Sequence, residues 1–185
     1  VDIEALNLNY SEISDLSPLR NMNKLEQLDL GDNKIEDISV LEKLPALKRL
    51  TLPYNPLKNA QALHGMTNLE GLDIGAIPSI KDFTFLKNLT KLRSLSLYNN
   101  DIEDISFLKN MKQMNWLCLN YNAINDISVL ANLQELNFLW FNDNPTSDFS
   151  PLQDLPKLTR LTLQENKIQD ISFLENISSL KTLDL

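Results

Sequence analysis

The feature that most constrains this chain is a period of 22 residues. The pattern L-x-x-L-x-L-x-x-N-x-I, read at Leu25, Leu28, Leu30, Asn33 and Ile35, restarts at Leu47, Leu69, Leu92, Met114, Leu136, Leu158 and Leu180, and an earlier copy begins at Ile3. Every step is 22 residues except Leu69 to Leu92, which is 23. A unit this short cannot bury its own apolar side chains, so the copies must stack and share one continuous core. Period-two alternation sends repeat positions 4 and 6 inward (Leu28 and Leu30, Leu95 and Leu97, Leu161 and Leu163) and positions 3, 5 and 7 outward. Each copy therefore contributes one short strand to a parallel sheet.

The rest of the repeat follows the same logic. Asn33, Asn55, Asn100, Asn122, Asn144 and Asn166 stand just after the strand, where a buried amide must bond the turn backbone and the neighbouring coils. The D-I-S triplets at Asp37, Asp104, Asp126 and Asp170 put an apolar residue inside and then start a short helical turn. Ser39 with Glu42 and Ser172 with Glu175 have the spacing of capping boxes, and Ser17-Pro18 and Ser150-Pro151 suit a helical first turn. Apolar pairs three apart, such as Leu41 and Leu44 or Leu130 and Leu133, fit helical or 3₁₀ turns packed on the core. One segment, Gly71 to Leu86, has an extra residue and places Ile77 where the asparagine belongs, which predicts a bulged or re-routed turn.

With 43% hydrophobic and 23% charged residues in 185, the composition is that of an ordinary folded domain. Apolar runs of a few residues are too short to span a bilayer, which takes about 20, and no signal-like segment opens the chain. A single cysteine excludes an internal disulfide. The net charge of −8 has the wrong sign for a nucleic-acid backbone or an anionic membrane.

The motif N-x-I-x-D-I-S-x-L, with its S-P-L variants at Ser17-Pro18-Leu19 and Ser150-Pro151-Leu152, resembles the 22-residue leucine-rich repeats of the internalin family of bacterial surface proteins, over about residues 3 to 185. A repeat class of the same length, typified by a regulatory subunit of protein phosphatase 1, shares much of the spacing. The resemblance implies an α/β fold, a curved right-handed leucine-rich-repeat solenoid with a parallel sheet on its concave face and short helical or 3₁₀ turns on its convex face, and a protein partner bound on the concave sheet. It also implies a cell-surface or secreted location, with a cytoplasmic one as the alternative. Internalins carry a helical cap before the repeats and an immunoglobulin-like module after them. This chain starts near a strand at Val1-Asp2-Ile3 and stops in another at Leu183-Asp184-Leu185, so the expectation is one repeat domain, about eight repeats plus a final strand, cut from a longer protein. Such uncapped edges invite end-to-end self-association.

Register turns the functional question into a short set of residues. All four tyrosines and both tryptophans occupy outward or rim positions, and Phe138 joins them. Tyr98, Trp116, Tyr121, Phe138 and Trp140 fall in three consecutive repeats, so strands about 4.8 Å apart gather them into one patch. Contiguous exposed apolar surface marks interaction sites, and Tyr, Trp and Arg dominate interface hot spots. Asn120, Asn142 and Arg160 are expected as part of its polar rim, and Cys118 as an outward filler between the tryptophans. The lone His64 lies in the convex half, away from any nucleophile, and the outward carboxylates Asp29 and Asp73 read as solvated strand charge. With no phosphate loop, zinc spacing or calcium loop, no cofactor or metal is expected. The function expected is non-catalytic binding of another protein, with an intracellular scaffold or a carbohydrate-binding surface as alternatives.

Overall fold

The structure is a computed structural model that describes residues 2–185; the expected strand start at Val1 lies outside the described residues. Nine three-residue strands run through it: β1 (Ala5–Asn7), β2 (Gln27–Asp29), β3 (Arg49–Thr51), β4 (Gly71–Asp73), β5 (Ser94–Ser96), β6 (Trp116–Cys118), β7 (Phe138–Trp140), β8 (Arg160–Thr162) and β9 (Thr182–Asp184). They form one parallel sheet in sequence order. The register never slips: Leu28, Leu50, Leu72, Leu95, Leu117, Leu139 and Leu161 lie side by side, and the 23-residue step still pairs Gly71 with Ser94. This central row and the leucines at position 6 form the sheet side of a single apolar core. The opposite wall comes from the second half of each repeat, including Phe83, Phe85, Phe107, Phe149 and Phe173, all buried.

Each strand ends in the same way. The residue at position 8 has a positive φ in all eight complete copies, at Tyr10, Asp32, Tyr54, Ala76, Asn99, Tyr121, Asp143 and Glu165, with values between 53° and 58°. That left-handed step turns the chain out of the sheet, and the ladder asparagine then ties the turn down. Asn33 donates from Nδ2 to the Leu8, Leu30 and Gly31 carbonyls and accepts from the Ser11 and Ile13 amides, so it bonds its own turn and the preceding coil. Asn55, Asn100, Asn122, Asn144 and Asn166 repeat this. At Ile77 the ladder is interrupted by a fully buried side chain, and the neighbouring Ser79 hydroxyl donates to the Leu57 carbonyl at 2.5 Å instead. The extra residue is therefore absorbed between β4 and the next turn, as a local re-routing that leaves the sheet unbroken.

The convex side is built of eight 3₁₀ turns of five residues, from Ser17–Asn21 to Ser172–Asn176. The expected capping boxes do not form; no cap side-chain hydrogen bond is made at Ser39–Lys43 or Ser172–Asn176. The serine is the first residue of the turn, and the aspartate two residues before it supplies the acceptor. Asp37 accepts from the Ser39 amide at 2.8 Å and hydroxyl at 3.0 Å, and Asp15, Asp104 and Asp170 do the same for Ser17, Ser106 and Ser172. A 3₁₀ turn of five residues is too tight for glutamate to reach back, whereas an aspartate can bond the backbone two residues on. These bonds favour the charged form, so Asp15, Asp126, Asp148 and Asp170 lie below the ordinary aspartate value.

Candidate functional site

The concave sheet presents three outward rows, set by register. Position 3 runs Gln27, Arg49, Gly71, Ser94, Trp116, Phe138, Arg160; position 5 runs Asp29, Thr51, Asp73, Ser96, Cys118, Trp140, Thr162. Position 7 adds Gly31, Pro53, Gly75, Tyr98, Asn120 and Asn142. Three of the chain's four glycines thus lie on this face, all before β5, and the bulky rings lie after it. The face is a low floor joined to an aromatic ridge.

On the ridge the expected residues do come together. The Trp116 and Trp140 rings meet edge to face, with centroids 5.0 Å apart and planes at 72°. Trp140 remains 42% exposed and Trp116 is half-buried. The Arg160 guanidinium lies 5.4 Å above the half-buried Phe138 ring, a cation–π contact that fixes both. Tyr121 is 54% exposed, and Tyr98 is half-buried. Asn120 and Asn142 are partly structural, because Asn120 Oδ1 accepts from the Asn142 amide at 2.8 Å and Asn142 Oδ1 from the Gln164 amide at 3.0 Å. Their Nδ2 groups are the donors left for a partner.

Cys118 departs from expectation. It occupies an outward position yet is only 3% exposed, so it is covered filler with no open contact surface. A side chain of two heavy atoms stands here beside two far larger ones, Trp116 on its own strand and Trp140 in register on β7. Burial pushes its thiol up to about 11, which keeps it protonated and unreactive at neutral pH.

Asp73 departs as well, in the same sense. It is half-buried at the centre of the floor, and desolvation raises its carboxyl above the ordinary aspartate value, against lowering bonds from the Gly75 amide (3.0 Å) and Ser96. Tyr98 is its lid. A methyl group at Gly75 would fall inside the Tyr98 ring, so glycine there is what lets the ring lie across repeat 4 and reach Tyr54, 5.9 Å away in a T-shaped pair. Burial, the Tyr54 side chain and the Asp73 charge together push the Tyr98 hydroxyl strongly upward.

Tyr54 was not singled out by sequence as part of the site, nor was the depression it borders, of about 480 Å³ and lined by Tyr54, Tyr98, Asn99, Tyr121, Asn122 and Asp143. A second groove of about 630 Å³ opens at the other end of the strands, where Arg49, Arg93, Glu70 and Trp116 line it. The signal for Tyr54 lay in the pairing of Gly75 with the irregular repeat, which frees space between two tyrosines one repeat to either side. Among the described residues no cluster of three or more His, Cys, Asp or Glu side chains could hold a metal. No helix is long and apolar enough to cross a membrane.

Known structures share this geometry. A family profile for leucine-rich repeats (two copies) matches residues 3–43. Internalin C2 of Listeria monocytogenes is 35% identical and superposes with a TM-score of 0.92 over 99% of this chain and 80% of that one. An internalin, inlF, of the same organism is 31% identical, with a TM-score of 0.83 over 99% of this chain and 61% of that one. The plant peptide hormone receptor RGFR1, solved in complex with RGF2, gives 0.80 over 98% of this chain and 32% of that one, but at 19% identity the likeness is of fold alone. No curated protein sequence matches significantly. With 35% identity to an internalin and a superposition that covers essentially the whole chain and four-fifths of that one, this chain belongs to the internalin-like family of leucine-rich-repeat proteins.

Proposed function

We propose that this chain is a non-catalytic binding module that holds another protein on its concave face, outside the cell, through Tyr98, Trp116, Tyr121, Phe138 and Trp140 with Asn120, Asn142 and Arg160 around them. The observation that carries this is the backbone at position 8. Tyr10, Tyr54 and Tyr121 hold positive φ, a conformation that asparagine and aspartate tolerate and that bulky side chains adopt at a cost of about 1–2 kcal/mol. The same three rings are 76%, 54% and 54% exposed, so burial in the fold does not offset the strain. Asp32, Asn99 and Asp143 fill the same place with residue types that tolerate this backbone, and Ala76 and Glu165 occupy it as well. Backbone strain kept at an exposed aromatic is a mark of function. The uncommitted arrangement of Trp116 and Trp140 beside them adds the large, rigid contact surface typical of hot spots.

The same groove of tyrosines and amides also has the chemistry of a saccharide site, rings to stack on and Asn99, Asn122 and Asp143 to bond hydroxyls. Probing an array of protein ectodomains and a glycan array with the chain separates the two. Binding to a protein that is lost in Trp116→Ala and Trp140→Ala, and kept in the convex variant Lys109→Ala, supports the proposal. A glycan bound in its place favours the second reading, and binding lost only in the convex variant refutes both.

A further inference from the structure

We propose that the partner enters the concave face with a basic side chain, a lysine or an arginine, seated on Asp73 beside the Tyr54–Tyr98 pair. The inference rests on the concave-face reading above and names the chemistry it would recognise. Asp73 lies at the middle of the floor, flanked along its own strand by Gly71 and Gly75 and across the sheet by Thr51 and Ser96. Tyr98 lies over Gly75 and the Arg49 stem beside Gly71, and Asp73, half-buried between them, keeps part of its surface open to solvent.

Among the described residues its charge has no lysine or arginine counterpart within ion-pair distance. Elsewhere the solenoid pairs acids with bases one repeat away: Glu26 with Lys48 at 2.7 Å, Glu36 with Lys58 at 2.5 Å and Glu135 with Lys157 at 2.7 Å. The residues one repeat to either side of Asp73 are Thr51 and Ser96, and among the described residues no lysine or arginine nitrogen lies within 4 Å of it. Arg160, on β8 and four strands from Asp73, is engaged by Phe138. The carboxylate is therefore half-buried without the cation that would offset its loss of water.

The surroundings fit an ammonium or guanidinium group. The Tyr98 hydroxyl lies close enough to feel the Asp73 charge, and Tyr54 packs against the Tyr98 ring, so a cation seated on the carboxylate has aromatic rings within reach and gains from both. The bond from the Gly75 amide to Asp73 does not by itself explain this arrangement. Asp29 makes the same bond to Gly31, at 3.1 Å, with no aromatic lid, and so serves as the internal control.

The experiment is a titration of ¹⁵N-labelled protein with N-acetyl-lysine methylamide, read from the amide signals of Gly75 and Ser96. The comparison compound is N-acetyl-norleucine methylamide, which keeps the stem and lacks the ammonium. The expected result is a saturable shift with the lysine compound only, at least about fivefold weaker in Asp73→Asn and unchanged in Asp29→Asn. Equal shifts from both compounds, a response kept in Asp73→Asn, or one lost equally in both variants overturns the proposal. Should Asp73→Asn fail to fold, the lysine-against-norleucine comparison and the position of the shifting amides decide it in the unaltered protein. The titration uses no protein partner, so failure of the aromatic patch on the ectodomain array and failure of the Asp73 seat are told apart.

Discussion

Replacing Trp140 by alanine separates a binding ring from a core ring. Just over half of its surface is covered in the free chain, with 42% open. Full burial of an aromatic side chain removes about 150–250 Å² from water, so the covered part is roughly 100 Å² and the open part about the same. At ~25 cal/mol per Å² each part is worth about 2.5 kcal/mol, and the folding share is an upper bound because the unfolded chain already hides some surface. Alanine keeps the first carbon, and water fills the space on an open face, so no cavity penalty is added. The expected loss of folding stability is about 1–2 kcal/mol, measured by urea unfolding followed by circular dichroism, and the expected loss of partner binding about 2–3 kcal/mol. Leu139, the next residue inward, is fully buried and supplies the reference: Leu139→Ala should cost about 2–5 kcal/mol of stability. The chain's two tryptophans both lie in the patch, so their emission reports docking without a label. A Trp140→Ala variant as unstable as Leu139→Ala, yet with partner affinity intact, would show that the ring belongs to the core and would sink the register reasoning.

Three further outcomes follow from particular contacts. Tyr121→Asn should raise stability by about 0.5–1 kcal/mol, because asparagine tolerates the left-handed backbone, and should weaken binding; a destabilised variant would remove the claim that the tyrosine is held there at a cost to the fold. Cys118 should react slowly with iodoacetamide at pH 8, since its thiol is buried and pushed up to about 11, and Trp140→Ala should speed the reaction by uncovering it; fast labelling of the unaltered chain would contradict the burial. Asp73→Asn should stabilise the chain at neutral pH. The folded carboxyl is raised above 3.8, so folding favours its protonated form, and the cost of ionising it appears as pH climbs through that raised value. The advantage of asparagine, read as a difference in urea midpoint, should therefore fade as pH falls toward 3.8; an advantage constant with pH would show that charge is not its source.

The fold was legible because one period carries it. A 22-residue spacing with leucines at positions 4 and 6 admits one stacking, and the asparagine ladder is the way that stacking satisfies its turns. The ridge was legible for the same reason, since side-chain direction along a strand follows from register alone. Relief was not legible. Cys118 and Trp140 share a register row, both facing the solvent side, and one is covered while the other stands open, because exposure on a face depends on the height of the neighbours as well as on direction. Asp73 was misplaced as solvated for the same cause, a tyrosine one repeat away lying across a glycine. The capping boxes failed on local geometry, the five-residue 3₁₀ turn being shorter than the α-helical turn that the serine–glutamate spacing assumes. Strain was hidden too: register puts Tyr10, Tyr54 and Tyr121 at position 8, and only the structure shows that the turn sets a positive φ there, whatever residue occupies it. What one repeat reveals about direction, two adjacent repeats are needed to reveal about depth, and the irregular repeat is where the two diverge. Its extra residue leaves the sheet in register, while its two glycines lower the floor on which Tyr98 rests and Asp73 is set.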